Sequence, residues 1–243
     1  MDVFIVTGTT SGIGKELVKQ LLEQGKIVFG ISRSQSDINH ENYHHAKLDL
    51  AESSLLEPEM KKILVKALNN ASSLTLINNA GTIEPIGLAG NLSAEDIAKS
   101  IAVNLTAPMI LTSAFIHASA AIAIPKRVLQ ISSGAGRKGY EGWSSYCAGK
   151  AGLDRFTEAV QLEEANKPNG VRLVSIAPGI IDTNMQGKIR SSSEEEFPLV
   201  ERFKDYKASG QLSSAEEVAR KLIEFVQSDR FEKAEVLSDL RIL

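Results

Sequence analysis

The sequence predicts a single-domain α/β protein in which helices cover both faces of a mostly parallel sheet. Two observations predict it. Short β-branched apolar runs alternate along the chain with segments of helical periodicity, as expected for strands joined by right-handed crossovers. The 243 residues, 43% of them hydrophobic, suffice for one substantial core, and no internal repeat or Gly/Ser- or Pro-rich linker divides them.

The elements follow in order. "VFIVTG" is a strand running into a glycine, and a helical pattern extends from Ile13 to about Gln24, with Gly25 as its stop. "KIVFGIS" reads as a second strand and "HHAKLDL" as a weaker third, followed by a charged helical segment through about Asn70. "SLTLINNAG" is strand-like, residues 93 to 123 are mainly helical, and Pro108 sits near a kink or break. "RVLQISS" is another strand, Tyr146 to about Ala165 another helix, and "VRLVSIAPG" a further strand. "SSSEEEF", residues 191 to 197, reads either as a capped, solvated helix start or as part of a substrate lid spanning about 184–210. "SSAEEVARKLIEFV" is a late helix, and "EVLSDLRIL" supplies a last strand at a sheet edge.

Composition excludes several functions. A net charge of −3 with 23% charged residues flags no tail or face for nucleic acid or an anionic membrane. One cysteine rules out an intrachain disulfide framework and fits a reducing compartment. "MDVFIVTGTTSGIG" lacks the layout of a signal peptide, and no run of about twenty apolar residues suggests a spanning helix. A soluble cytoplasmic protein is expected. His40, His44 and His45 cluster in a polar segment read as mobile surface, His117 is isolated, and no metal-binding pattern joins them.

Thr7, Gly8, Gly12 and Gly14 form "TGTTSGIG" between the first strand and helix. Gly8 suits a tight exit from the strand, Gly12 a close approach of pyrophosphate to the backbone, and Gly14 close helix–strand packing. The spacing differs from the usual GxGxxG fingerprint and has no Gly-Lys-Ser/Thr ending, so alone it could be only a glycine-rich connection. After the second strand, Ser32 and Arg33 stand where an acidic residue would read the ribose hydroxyls of NAD. Arg33 can pair with a phosphate, which favours NADPH over NADH; the alternative is a surface arginine. Farther on, "SSYCAGKAG" places Tyr146 and Lys150 on one helical face, either as exposed decoration or as an acid and its tuning cation.

Taken together, this glycine turn, Asp49, "NNAG" at 78–81, Asn104, Ser133, Tyr146 with Lys150, and "PG" at 178–179 resemble the classical short-chain dehydrogenase/reductase family over almost the whole chain. "APMILTS", "ISSGAG", "GWSSYCAGKAG" and "DTNMQGKIRSSSEE" further resemble its benzil reductase subgroup, which is similar to sepiapterin reductases. The resemblance implies a doubly wound, Rossmann-like, three-layer α/β/α domain over 1–243 and nicotinamide-dependent redox chemistry. The subgroup implies NADPH-dependent reduction of one carbonyl of an aryl diketone such as benzil to an (S)-hydroxyketone. A pterin carbonyl reductase and a noncatalytic dinucleotide sensor are the alternatives.

The resemblance assigns roles by position. Gly8, Ser11, Gly12, Ile13, Gly14, Ser32, Arg33, Asp49 and Leu50 would hold the phosphates and adenosine, with Asp49 on the adenine amino group. Asn78, Ala80 and Gly81 would lie beneath the cofactor, although a buried asparagine there could instead tie loops together. Pro178, Gly179, Ile181 and Thr183 would surround the nicotinamide. Ser133, 13 residues before Tyr146, would bind the substrate oxygen; Ser132 is its neighbour and alternative. Tyr146 would donate the proton, replenished through a ribose–Lys150–Asn104 route, with Asn104 also holding a helix distortion. Since burial raises a tyrosine pKa, the Lys150 cation must win against it. Ser11 offers no basic group to the NADPH phosphate, so Arg33 carries more of that preference. Tyr140, Trp143, Ile180 and Met185, with Phe197 as a further candidate, would wall an apolar substrate. Cys147 has no His–carboxylate partner and reads as a packed thiol. The resemblance also implies a homodimer or homotetramer formed through the Asn104 and Tyr146 helices.

Overall fold

Strands buried on both faces lose the polar/apolar alternation of a half-exposed sheet, and all six residues of β4 (Ser73–Asn78) are buried. In the computed structural model, which describes residues 1–242, β4 lies at the centre of a seven-stranded, wholly parallel sheet. The other strands are β1 (Asp2–Thr7), β2 (Ile27–Ser32), β3 (Tyr43–Lys47), β5 (Lys126–Ile131), β6 (Arg172–Ala177) and β7 (Leu237–Asp239). Their order is β3-β2-β1-β4-β5-β6-β7. The chain therefore builds outward from β1, then returns to its other side at β4, which opens a crevice at the C-terminal strand ends. Leu243, the end of the predicted last strand, lies outside the described residues.

The described residues include nine α-helices, and helices cover both faces of the sheet. On one face, α1 (Gly12–Glu23) and α8 (Ala215–Gln227) bury Leu17, Val18, Leu21, Leu222 and Phe225, with Phe231 of α9 (Asp229–Lys233). On the other, α2 (Ser53–Ala67), α4 (Ala107–Ser119) and α5 (Ser144–Glu164) bury Leu56, Met60, Leu111, Phe115 and Val160. Gly25 ends α1 as predicted: its φ of +69° turns the chain so that Gly25 and Lys26 return N–H groups to Leu22 and Leu21.

Three expectations change, while the break expected near Pro108 is a π-helical turn over Ala102–Thr106 between α3 (Ala94–Ile101) and α4. The Ala107 N–H bonds back to the Ala102 carbonyl, and Pro108 has no N–H to give the Asn104 carbonyl. The three segments join into one helical run, Ala94–Ser119, of mean hydropathy 1.5, so a stretch long and apolar enough to span a membrane does exist by length and composition. Its α4 part is a core helix: Ala107, Leu111 and Phe115 are fully buried. His44 and His45 belong to β3 and pair in register with Phe29 and Gly30, so they are not a mobile surface segment. In "SSSEEEF", Ser193 and Glu196 exchange cap-like bonds, but the segment forms turns between α6 (Asn184–Arg190) and α7 (Val200–Ala208).

Candidate active site

A cleft of about 1120 Å³ runs along the C-terminal ends of the strands. Its first wall is the β1–α1 turn. Gly8 and Gly12 adopt φ of +74° and +54°, which side-chain-bearing residues avoid. A Cβ on Gly14 would stand 2.1 Å from the Gly8 carbonyl oxygen, so α1 closes on the turn only with glycine there. Thr7 Oγ1 accepts the Asn79 and Ala80 N–H groups, each at 3.0 Å, and Asn79 Nδ2 donates to the Thr7 carbonyl at 2.9 Å. Turn and β4 end therefore form one rigid piece.

The turn fits a dinucleotide phosphate. No side chain caps the first N–H groups of α1, and a Cβ on Gly12 would reach within 3.3 Å of Thr183 Cγ2, filling the gap between the walls. Ser11, Gly12 and Ile13 line this end of the cleft with Ser32, Arg33, Asp49 and Leu50, while Gly14 packs behind it. Ala80, Gly81, Pro178, Gly179, Ile180, Ile181, Thr183 and Met185 line the remainder. Asn78 does not. It ends β4 inside the protein, donating to Thr112 Oγ1 at 3.2 Å, and the next residue, Asn79, faces the cleft. Strand parity separates the two positions.

Beneath the cleft floor, α5 brings Tyr146 and Lys150 up beside the turn after β5 that carries Ser133. Both are nearly buried, at 7% and 3% exposure. Burial pushes the Tyr146 hydroxyl up to about 12, and a Ser133 hydrogen bond offsets only part of that. Lys150 is pulled down to about 8 by burial, with the Asp154 carboxylate opposing. Its Nζ donates to the Ile131 carbonyl at 2.8 Å and lies 5.8 Å from the Tyr146 ring centre. Burial thus sets the direction of both shifts, and Lys150 does not offset it at Tyr146 as the sequence led one to expect.

Asn104 is fully buried in the π-turn, not exposed to the cleft. Its Oδ1 accepts the Thr82 N–H at 3.0 Å, and its Nδ2 donates to the Thr82 carbonyl at 2.8 Å and to Ser100 Oγ at 3.3 Å. The side chain is thereby committed to holding the Gly81–Thr82 loop. A Cβ on Gly81 would lie 3.1 Å from Asn104 Oδ1 and 3.4 Å from Lys150 Nζ, so loop, π-turn and lysine meet at one point.

The serine turn has its own brace. Arg137 donates to the Ser238 carbonyl of β7 at 2.5 Å and lies 3.9 Å from Asp154, which accepts the Ser175 hydroxyl of β6 at 2.6 Å. Sequence reading missed Arg137 and Asp154, although Asp154 stands four residues beyond Lys150, one helical turn along the same face. Ser132 lines the cleft with its hydroxyl buried and unpartnered among the described residues.

An aromatic cluster forms the far wall. Trp143 stacks on Phe197 at 4.6 Å and 5° and meets Tyr146 edge-on at 5.9 Å. Tyr140 packs on Trp143 at 5.2 Å and turns its hydroxyl toward Gly134. Tyr140, Trp143 and Met185 line the cleft, whereas Phe197 is fully buried behind Trp143. Cys147 is half-buried with its thiol pushed up by burial, which suits packing over nucleophilic attack. No three potential metal-ligating side chains cluster among the described residues.

The description short chain dehydrogenase belongs to the family model that matches residues 2–194. A benzil reductase ((S)-benzoin forming) of Bacillus cereus is 38% identical, covering 98% of this chain and 98% of its own. A sepiapterin reductase of Rattus norvegicus is 31% identical over 95% of this chain and 93% of its own. A 4-hydroxyisoleucine dehydrogenase solved with NADH superposes with a TM-score of 0.83 over 98% of this chain and 96% of its own; at 22% identity it shows the fold.

Proposed function

The chain belongs to the short-chain dehydrogenase family and is an oxidoreductase of ketone/alcohol pairs; from that premise we propose an NADPH-dependent reductase of one carbonyl of an aryl diketone, giving an (S)-hydroxyketone. The observation that carries this reading is the convergence of Ser133, Tyr146 and Lys150 under an aromatic wall, at the end of a cleft whose other end presents Ser32 and Arg33. The benzil reductase relative supports the substrate class, and a guanidinium at Arg33 with serines, not an acidic residue, on either side of it in the chain supports the 2′-phosphate.

When bound, the reduced nicotinamide supplies the hydride. The chain supplies everything else. Ser133 Oγ and the Tyr146 hydroxyl hold the substrate oxygen, and Tyr146 gives it a proton as negative charge develops. A buried ammonium at Lys150 favours the resulting phenolate, and the Asn104 carbonyl, to which Pro108 four residues on has no N–H to give, would hold a water in the proton route. Trp143 and Tyr140 exclude water and take the aryl rings. Residues 184–210, which line the cleft through α6 and α7, serve as the substrate lid.

The deciding experiment follows NADPH oxidation with benzil and sepiapterin, with chiral analysis of the product. (S)-Benzoin from benzil is expected. Faster turnover of sepiapterin would favour the pterin reading that the rat relative supports, and cofactor binding without turnover on any carbonyl would remove both. We also place the enzyme in the cytoplasm as a homodimer or homotetramer. Within the Ala94–Ser119 run, an apolar 18-residue stretch is only 39% buried, and Ile97 and Met109 on the run are exposed, surface that a second copy would cover. Light scattering that reads a monomer at working concentration would refute the assembly.

A further inference from the structure

The edge strand β3 reaches over its neighbour to the cleft. Tyr43 and His45, two residues apart, project from the same face of the sheet. Tyr43 crosses Gly30 of β2, where a Cβ would stand 2.3 Å from its hydroxyl, and donates to Thr9 Oγ1 in the glycine turn at 3.1 Å. His45 Nε2 lies 2.8 Å from Ser32 Oγ, and Ser32 lines the cleft beside Arg33.

The Ser32 hydroxyl has one hydrogen, and it is directed to the Ser34 carbonyl at 3.1 Å. His45 must then donate through Nε2, which leaves Nδ1 as the nitrogen that titrates. Burial lowers the pKa of this imidazole, so without a nearby anion it is neutral at about pH 7. The charged groups on the elements around it are few. Arg33 follows β2, Lys47 lies two residues on in β3, Asp49 follows that strand, and the Lys15–Asp37 pair joins α1 to the β2–β3 connection. His44 faces the other way, packed on Phe29 at 4.8 Å.

We infer that His45 is a specificity-determining residue for the phosphorylated dinucleotide, presenting through Ser32 a positive charge that forms when a ribose 2′-phosphate arrives. The inference rests on the NADPH reading above. A 2′-phosphate is mostly dianionic at about pH 7, since its second pKa is about 6. Held by Arg33, and by Ser32 once its hydroxyl hydrogen turns from the Ser34 carbonyl to the phosphate while Oγ still accepts from His45, it favours the imidazolium, so binding takes up a proton. A dinucleotide with a free 2′-hydroxyl does not. The sequence concealed this because β3 has no apolar alternation and its histidines resemble surface decoration.

The test uses 2′,5′-ADP and ADP as probes, titrated calorimetrically near pH 7 in buffers of different ionisation heat. Net proton uptake is expected with 2′,5′-ADP and none with ADP. His45→Gln should abolish the uptake and weaken 2′,5′-ADP about five- to tenfold, the worth of one charged contact, with ADP unchanged. Ser32→Ala, a milder change in packing, should also abolish the uptake. Uptake that persists in His45→Gln, or an equal loss for both probes, would overturn the role of His45 while leaving NADPH preference standing. A wild-type protein that does not distinguish the probes would overturn the NADPH reading and this inference with it.

Discussion

Replacing Asn104 tests whether its side chain acts by holding the Gly81–Thr82 loop. Asn104→Ala removes the 3.0 and 2.8 Å bonds to the Thr82 backbone and the weaker one to Ser100, with no solvent at the asparagine itself. Two such bonds contribute about 1 kcal/mol each, and a Thr82 amide left without a partner costs about 1–3 kcal/mol more, so a loss of about 3–5 kcal/mol is expected. Urea denaturation reads it as a lower midpoint at unchanged slope. Asn104→Asp makes the reasoning sharper. An ionised aspartate still accepts from the Thr82 N–H but sets an oxygen against the Thr82 carbonyl, whereas the protonated acid can donate to it. Burial raises that carboxyl pKa, so the variant should regain stability as pH falls and lose it as pH rises. A loss below about 1 kcal/mol in Asn104→Ala, together with abolished turnover, would refute the clamp and place the side chain in the chemistry itself.

Three further outcomes are expected. Tyr146→Phe should lower turnover by about 10²–10⁴, the range of a lost general acid, with dinucleotide affinity measured by fluorescence unchanged; near-normal turnover in a folded variant would end its assignment as the proton donor. Lys150, brought from 10.5 to about 8 by burial, leaves the folded state with fewer protons than the unfolded one between those values, so stability should rise with pH across that window while turnover falls above about pH 8. Tyr146, raised from 10.0 to about 12, works in the opposite direction at higher pH, and denaturation midpoints of Lys150→Met should lack the first rise. Gly14→Ala forces a Cβ against the Gly8 carbonyl and should cost about 1–3 kcal/mol; a melting temperature within about 1 °C of wild type would show that α1 has room to shift.

The readable parts of the site were those whose residue type answers a local backbone demand. Gly8 and Gly12 stand where φ is positive, Gly25 where α1 must stop, and Tyr146 and Lys150 fall on one face of a helix that periodicity locates. Misreadings came where local pattern carries no information about direction. Every residue of β4 is buried, so nothing in "SLTLINNAG" tells that Asn78 points inward and Asn79 toward the cleft. The π-turn likewise depends on tertiary packing: Pro108 announced a disturbance, but its place one turn upstream follows from the Asn104–Thr82 clamp. His45 was unreadable for a third reason, since its meaning depends on a partner in a neighbouring strand, thirteen residues away.

The Arg137 brace has a consequence for assembly in time. Ser133, Tyr146 and Lys150 are all made before residue 151, yet the guanidinium that steadies the serine turn bonds to Ser238 in the last strand. During synthesis the reacting trio therefore exists for some ninety residues before its bolt is available. A nascent chain, or one nicked ahead of β7, would carry all the reacting groups without the fastening, so activity would report completion of the polypeptide as well as its folding.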